Sequence, residues 1–169
     1  MKFCVEACSL GYVAIATNYA NSLFWVSINS ESPKLFDEFF TVLPHLINKA
    51  FTPPEPETID KVLDIVNGGV NDNSLDISLD GTLFQRKVWS HISTIGLGTT
   101  QSYKDIAVAI GLPKAHRAVA NACGKNQLAI IIPCHRVITS SGALGGYRWG
   151  TETKQKLLER ENERTSITL

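Results

Sequence analysis

The first 28 residues limit the possible folds more than any other stretch. Three short apolar runs, "KFCVEACSL", "YVAIATNYA" and "SLFWVSIN", are rich in strand-forming side chains and are broken at Gly11 and Asn21, which suit tight turns. Runs this short and this closely joined read as an antiparallel meander, because a parallel return needs a longer crossover. Residues 33–50, "PKLFDEFFTVLPHLINKA", place Leu35, Phe36, Phe39, Phe40, Leu43 and Leu46 at helical spacing, with Pro44 as a kink or an end. "FTPPEPE" reads as a stiff loop. "TIDKVLDIVNGG" reads as a short helix stopped at Gly68 and Gly69. "LDISLDGT" reads as a strand leading to a boundary near Asp80. No internal repeat is found.

The second half is patterned differently. "TLFQRKVWSHISTI" is amphipathic at helical period, and "SYKDIAVAIG" opens on a capping-box pattern, Ser102 with Asp105, and stops at Gly111. "LPKAHRAVANACG" follows, with Pro113 expected at a first helical position and Gly124 past the end. Two short helices joined through Gly-Leu-Pro form a candidate helix-turn-helix, although most such pairs are plain core hairpins. On the second helix Ala115, Ala118, Ala120 and Ala122 surround one long cation, Arg117. A major-groove reader normally presents several Asn, Gln or Arg side chains to base edges. Small alanines instead permit close approach to a narrow groove, where a single arginine could replace a displaced base. The plainer alternative has the alanines facing the core and Arg117 facing water.

The net charge of zero hides an asymmetry: residues 1–80 hold 4 Lys+Arg against 11 Asp+Glu, a net −7, and residues 81–169 hold 12 against 5, a net +7. An anionic partner for the second half is one explanation, and mutual attraction of the halves is the other. With 44% apolar residues over 169 positions, the chain is long enough for one or two folded domains. No apolar run approaches membrane-spanning length, and Glu6 interrupts the N-terminal candidate for a signal peptide. An intracellular, cytoplasmic protein is expected, or a nuclear one in a eukaryote. Cys4, Cys8, Cys123 and Cys134 read as reduced thiols rather than a disulfide scaffold. Cys4 and Cys8 lack the partner ligands of a zinc site, so no metal is expected. "GLG" at 96–98 lacks the third glycine of a dinucleotide fingerprint, and no cofactor is expected.

The apolar run ending "IIPCHRV" raises the main chemical question. A cysteine in such a run is usually a small hydrophobe. Beside His135 and Arg136, Cys134 is also a candidate nucleophile, since a thiolate needs nearby positive charge or a base. Adjacent strand residues point to opposite faces, so either the strand breaks at Pro133–Cys134 or His135 acts through a bridging water. A carboxylate must then orient the imidazole. In the last helix, "TETKQKLLERENE", Glu161 and Lys154 share the buried face set by Leu157 and Leu158, while Glu159 and Glu163 lie further round. Buried Glu161 and Lys154 require partners, supplied by a Cys–His–Glu arrangement or by ordinary ion pairs.

From about Phe84 to Glu161, "SYKD", the Arg117 helix, Asn126, "IPCHRV" and the downstream "GY…LL..E" together resemble the O6-alkylguanine-DNA alkyltransferase family of direct-reversal DNA repair proteins. The resemblance implies an α/β fold: a small antiparallel sheet plus helix, RNase H-like, over 1–80, then a mostly helical DNA-binding and alkyl-transfer domain with a helix-turn-helix over 81–169. It implies that Cys134 takes the alkyl group from O6-alkylguanine in double-stranded DNA, with O4-alkylthymine left open as a further substrate. His135 would accept the thiol proton, oriented by Glu161, and Lys154 would support the thiolate. Tyr103 would assist base flipping and donate a proton to the departing guanine. Arg117 would fill the vacated stack, with Ala115 and Ala118 beside it and Arg136 among the DNA-binding residues. Asn126 would brace the active-site turn. Backbone groups of Cys134, Val137 and Arg148 would hold the base edge, and Tyr147 would line the pocket. The thioether product would end each molecule's activity after one reaction. A monomer without metal or cofactor follows, with assembly on DNA left open. Trp149, where many members carry glycine, implies a narrower pocket. A cysteine hydrolase, a helix-turn-helix regulator and a non-catalytic lesion binder are the rival readings.

Overall fold

The structure is a computed structural model that describes residues 1–47, 49–71 and 74–167. It divides into two compact units, Met1–Leu79 and Asp80–Leu169.

In the first unit, β1 (Lys2–Cys8), β2 (Gly11–Thr17) and β3 (Leu23–Asn29) pair antiparallel in sequence order, as the opening alternation predicts. The turn after β1 holds Gly11 at φ +107°, where a Cβ would lie 2.7 Å from the Asn29 carbonyl oxygen, so only glycine fits without displacement. β2 is buried from Val13 through Thr17. Its Ala14 and Ala16 join Phe3, Trp25, Leu35, Phe39 and Leu46 in an aromatic-rich core, with Phe3 stacked on Phe39 at 4.3 Å between ring centroids. The helix carrying Leu35 and Phe39, α1 (Ser32–Val42), ends before Pro44, and a 3₁₀ turn follows at Pro44–Leu46. α2 (Pro56–Val66) starts on a proline, which loses no hydrogen bond in the first turn, and packs against β2. The strand expected in "LDISLDGT" reduces to a single bridge, Leu23 to Ile77.

The second unit is mostly helical. α3 (Leu83–Ile92) begins with a reciprocal capping box between Thr82 and Gln85. A second capping box, Ser102 with Asp105, starts α4 (Tyr103–Ala109) immediately after β4 (Gln101–Ser102). α5 (His116–Gly124) starts three residues later than Pro113, which lies in the preceding turn, and Gly124 is its last residue rather than the stop beyond it. The helix begins late because Ala115 N–H is held by the Leu112 carbonyl (2.8 Å), closing the turn before helical bonding starts. Val119 and Ala122 face the core, while Arg117 and Ala118 are exposed and Ala115 is half-buried. Trp89 Nε1–H donates to the Ala122 carbonyl at 2.9 Å, tying α3 to α5.

β5 (Val137–Ile138) pairs parallel with β4. This two-residue ladder sets the start of α4, and hence Tyr103, beside the segment that carries Cys134. α6 (Thr151–Ile167) completes the unit. Among the described residues no helix is long and apolar enough to cross a membrane.

Candidate active site

The apolar run before Cys134 is not a strand. Residues 129–131 form a turn, and Cys134–Arg136 is a single 3₁₀ turn, so Cys134 and His135 are not held on opposite faces of a sheet. The side chain of Asn126 explains the change. Its Oδ1 accepts from Leu128 N–H (2.9 Å), and its Nδ2 donates to the carbonyls of Leu128 (3.2 Å) and Ile132 (3.0 Å) and reaches Cys134 Sγ at 3.3 Å. A buried amide that bonds these backbone groups replaces a neighbouring strand as their partner. Within this loop Ile130 adopts φ +66°, a left-handed conformation that is costly for a β-branched residue.

Cys134 is 3% exposed and lies at the base of a cavity of about 310 Å³. Tyr103, Asn121, Cys123, Gly146, Tyr147 and Arg148 also line it, with Ala120 and Gly124 completing the wall. Gly145 has φ +68°, and a Cβ there would come within 3.0 Å of the Tyr103 hydroxyl, so the glycine-rich segment can close over that ring only without a side chain.

Behind the thiol, His135 is fully buried, and its Nε2 meets Glu161 Oε1 at 2.8 Å. Its Nδ1 is buried without a protein partner, as is the Tyr147 hydroxyl. Glu161 also accepts from Arg136 Nε (3.0 Å to Oε2) and Nη2 (2.9 Å to Oε1), and from Gly98 N–H (3.2 Å). Burial pushes the Glu161 pKa up, but hydrogen bonds and charge from His135 and Arg136 overcome this and hold it at about 2. Burial, aided by the charges of Arg136 and Lys154, outweighs the opposing pull of Glu161 and lowers the His135 pKa, so the imidazole is neutral and Arg136 supplies the counter-charge.

Burial raises the Cys134 thiol well above its ordinary value. A hydrogen bond with Cys123 adds to the rise, while Asn126 and Lys154 oppose it. The resting thiol is therefore protonated. Tyr103 is pushed up to about 12, chiefly by burial, and stays a proton donor. Lys154 is fully buried on α6 and donates to the carbonyls of Val137 (2.6 Å), Leu144 (2.5 Å) and Gly146 (3.3 Å), gathering the loop around the cavity. Burial lowers its pKa to about 8.

Three of the expected residues are engaged by other parts of the protein. Arg136 bonds Glu161 through Nε and Nη2 and the Ile95 carbonyl through Nη1 (2.6 Å), so its guanidinium is used inside the protein rather than offered to a DNA backbone. Val137 is fully buried outside the cavity wall, and its carbonyl already receives Lys154. Trp149 packs edge-on against Tyr147 at 5.2 Å, and it is Tyr147 that lines the cavity. Arg148 Nη1 donates to the Asn126 carbonyl at 3.3 Å, and its guanidinium lies over the Trp149 ring. Arg117 and Ala118 on α5, and Ala115 at its N-cap, lie away from the cavity lining. Asn121 and Cys123 were missed as cavity residues, although Cys123, three before Asn126, sits where a helix end meets the loop. Among the described residues no group of three or more His, Cys, Asp or Glu is placed to hold a metal ion.

Residues 83–163 match the model of the 6-O-methylguanine DNA methyltransferase DNA-binding domain. The bifunctional transcriptional activator/DNA repair enzyme Ada of Escherichia coli is 37% identical over 163 residues, covering 96% of this chain and 46% of the relative. The methylated-DNA–protein-cysteine methyltransferase of Mycobacterium bovis is 43% identical over 120 residues, 69% of this chain and 73% of the relative. The chain thus spans less than half the length of the Escherichia coli relative. The crystal structure of Mycobacterium tuberculosis OGT in complex with DNA has a TM-score of 0.78 at 32% identity, covering 97% of this chain and 94% of that one. A thiol set in a 3₁₀ turn, backed by a His–Glu pair and matched by these relatives along most of its length, identifies the chain as a member of the O6-methylguanine-DNA methyltransferase family.

Proposed function

We propose that this protein repairs alkylated duplex DNA by direct reversal, moving the alkyl group of O6-alkylguanine onto Cys134. The observation that carries this reading is the position of Cys134 in a cavity shared with Tyr103 and Tyr147, with His135 and Glu161 behind it.

A base inside a duplex cannot reach a nearly buried sulfur, so it must first leave the stack, at a cost of a few kcal/mol. Arg117, exposed near the start of α5 with small Ala115 at the N-cap and Ala118 on the helix, fills the gap from the minor groove. In this reading α4 and α5 form a helix-turn-helix, residues 81–169 carry binding and chemistry, and residues 1–80 form an RNase H-like supporting domain. Arg148 and Tyr147 contact the flipped base in the cavity.

The chemistry requires only the chain's own groups. Glu161 accepts the Nε2 proton of neutral His135, leaving Nδ1 as the nitrogen able to take the Cys134 proton, directly or through one water. The sulfur attacks the alkyl carbon in line with the departing oxygen. The carbon–oxygen bond breaks, its electron pair passes to the guanine, and Tyr103 supplies a proton to the base. Lys154 stabilises the thiolate electrostatically. The thioether product carries no leaving group that the chain can expel, so each molecule acts once.

The test is to mix the protein with an equimolar duplex containing one O6-methylguanine and measure intact and peptide masses. One methyl gained on the Cys134 peptide, with guanine restored, is the expected result. An unchanged protein mass while the DNA is bound would overturn the proposed transfer.

A further inference from the structure

The cavity holds a second thiol for which alkyl transfer has no use. Cys123 is half-buried in the wall of the same cavity as the Cys134 thiol, which is itself 3% exposed, and it lies near enough to help raise the Cys134 pKa. The two cysteines lie on different segments. Cys123 is the next-to-last residue of α5, and Cys134 opens the 3₁₀ turn. Asn126 joins the segments: its N–H donates to the Cys123 carbonyl (3.2 Å), and its side chain donates to Cys134 Sγ. Gly124 ends the helix, directly after Cys123.

We propose that Cys123 and Cys134 are a hydroperoxide-responsive dithiol, closing to a disulfide that withholds the sulfur needed for repair and reopening with a thiol reductant. The consequence for repair rests on the alkyl-transfer reading, whereas the bond itself does not. Cys123 is the more accessible thiol, and a cavity of about 310 Å³ admits a hydroperoxide to it. In the first step the Cys123 sulfur takes one oxygen from the peroxide, which breaks its O–O bond and leaves as an alcohol or as water. Cys123 becomes a sulfenic acid. In the second step the Cys134 sulfur attacks the Cys123 sulfur, the S–S bond forms, the S–O bond breaks, and the Cys134 proton leaves with the hydroxide as water. The sulfurs must approach to about 2 Å, through side-chain rotation and movement of the end of α5. A thiol reductant reverses the change by exchange. The disulfide also keeps Cys134 from the irreversible higher oxidation states.

The experiment treats the full chain, free of reductant and DNA, with graded hydrogen peroxide. Remaining thiols are then capped with iodoacetamide and the non-reduced peptides mapped by mass. The expected result is a linked peptide pair joining Cys123 to Cys134, lost on addition of dithiothreitol, with Cys4 and Cys8 still capped. In C123S the linked pair should vanish, and Cys134 should gain oxygen or remain capped. The wild-type map alone decides the matter if that variant fails to fold. Cys123 and Cys134 gaining oxygen separately, both remaining capped, or Cys134 linking to Cys4 or Cys8 would overturn the proposal. Oxidised protein given the alkylated duplex should lose transfer fully and regain it with dithiothreitol. If the reduced protein never transfers methyl while the linked pair still forms, the repair reading falls and the dithiol stands.

Discussion

Replacing Glu161 by Gln isolates the charge at the centre of the site. The amide oxygen can still accept from His135 Nε2, but Arg136 loses its counter-charge. Against the effect of burial, His135 and Arg136 hold the Glu161 pKa at about 2, below its ordinary 4.5. A carboxylate with a depressed folded pKa stabilises fully above the unfolded value and loses that contribution as pH falls toward the folded one. At about 1.36 kcal/mol per unit, the ionised group contributes roughly 3 kcal/mol near neutrality. Stranding one partner of a buried ion pair costs about as much. Urea unfolding near neutral pH should therefore find E161Q about 3 kcal/mol less stable than the wild type, with the difference falling to about half near pH 3. A difference below about 1 kcal/mol, or one insensitive to pH, would refute the reasoning by assigning the pair the worth of an exposed one. The methyl-transfer rate of this variant should also fall by about 10²-fold, because the imidazole loses the charge that fixes its tautomer.

Other substitutions separate binding from chemistry. Cys134→Ala should abolish transfer and leave binding to alkylated duplex intact in a gel-shift assay; persisting transfer would remove Cys134 from its role. Arg117→Ala should slow repair of duplex more than reaction with the free modified base, and equal losses would exclude a stack-filling arginine. Tyr103→Phe should slow transfer by about 10²-fold, and the wild-type rate should show no loss of this donor near pH 10, since its pKa is about 12. Burial lowers Lys154 to about 8 from 10.5, so folding penalises its charged form at neutral pH. Stability of the wild type relative to Lys154→Met should rise by about 3 kcal/mol between pH 8 and about pH 10.5, and a flat difference would contradict the buried-charge assignment.

The elements legible in the sequence are those fixed by local chemistry. The alternating runs give β1 to β3, Leu35 and Phe39 give the buried face of α1, and the Ser102–Asp105 pair marks the start of α4. The buried face of α6 was legible as well, because Leu157 fixes the positions of Lys154 and Glu161 relative to one another. The turn at Cys134 was not. "AIIIP" has the composition of a strand, and only the side chain of Asn126, eight residues from Cys134, converts it into a loop with Ile130 left-handed. The partner of Arg136 was likewise hidden, since it depends on where α6 packs rather than on neighbouring residues. The contacts of the Trp149 ring with Tyr147 and Arg148 were not legible either, since they depend on how the glycine-rich segment folds.

The contribution of α6 has a consequence for the chain during synthesis. N-terminal segments leave the ribosome first, so Cys134 and its loop emerge before the helix that carries Lys154 and Glu161. A nascent chain that ends short of α6 has the sulfur but not the carboxylate that orients His135, nor the ammonium that draws together the carbonyls of Val137, Leu144 and Gly146. On the proposed reading, in which each molecule reacts once, the sulfur gains its supporting groups only when the last helix has been made.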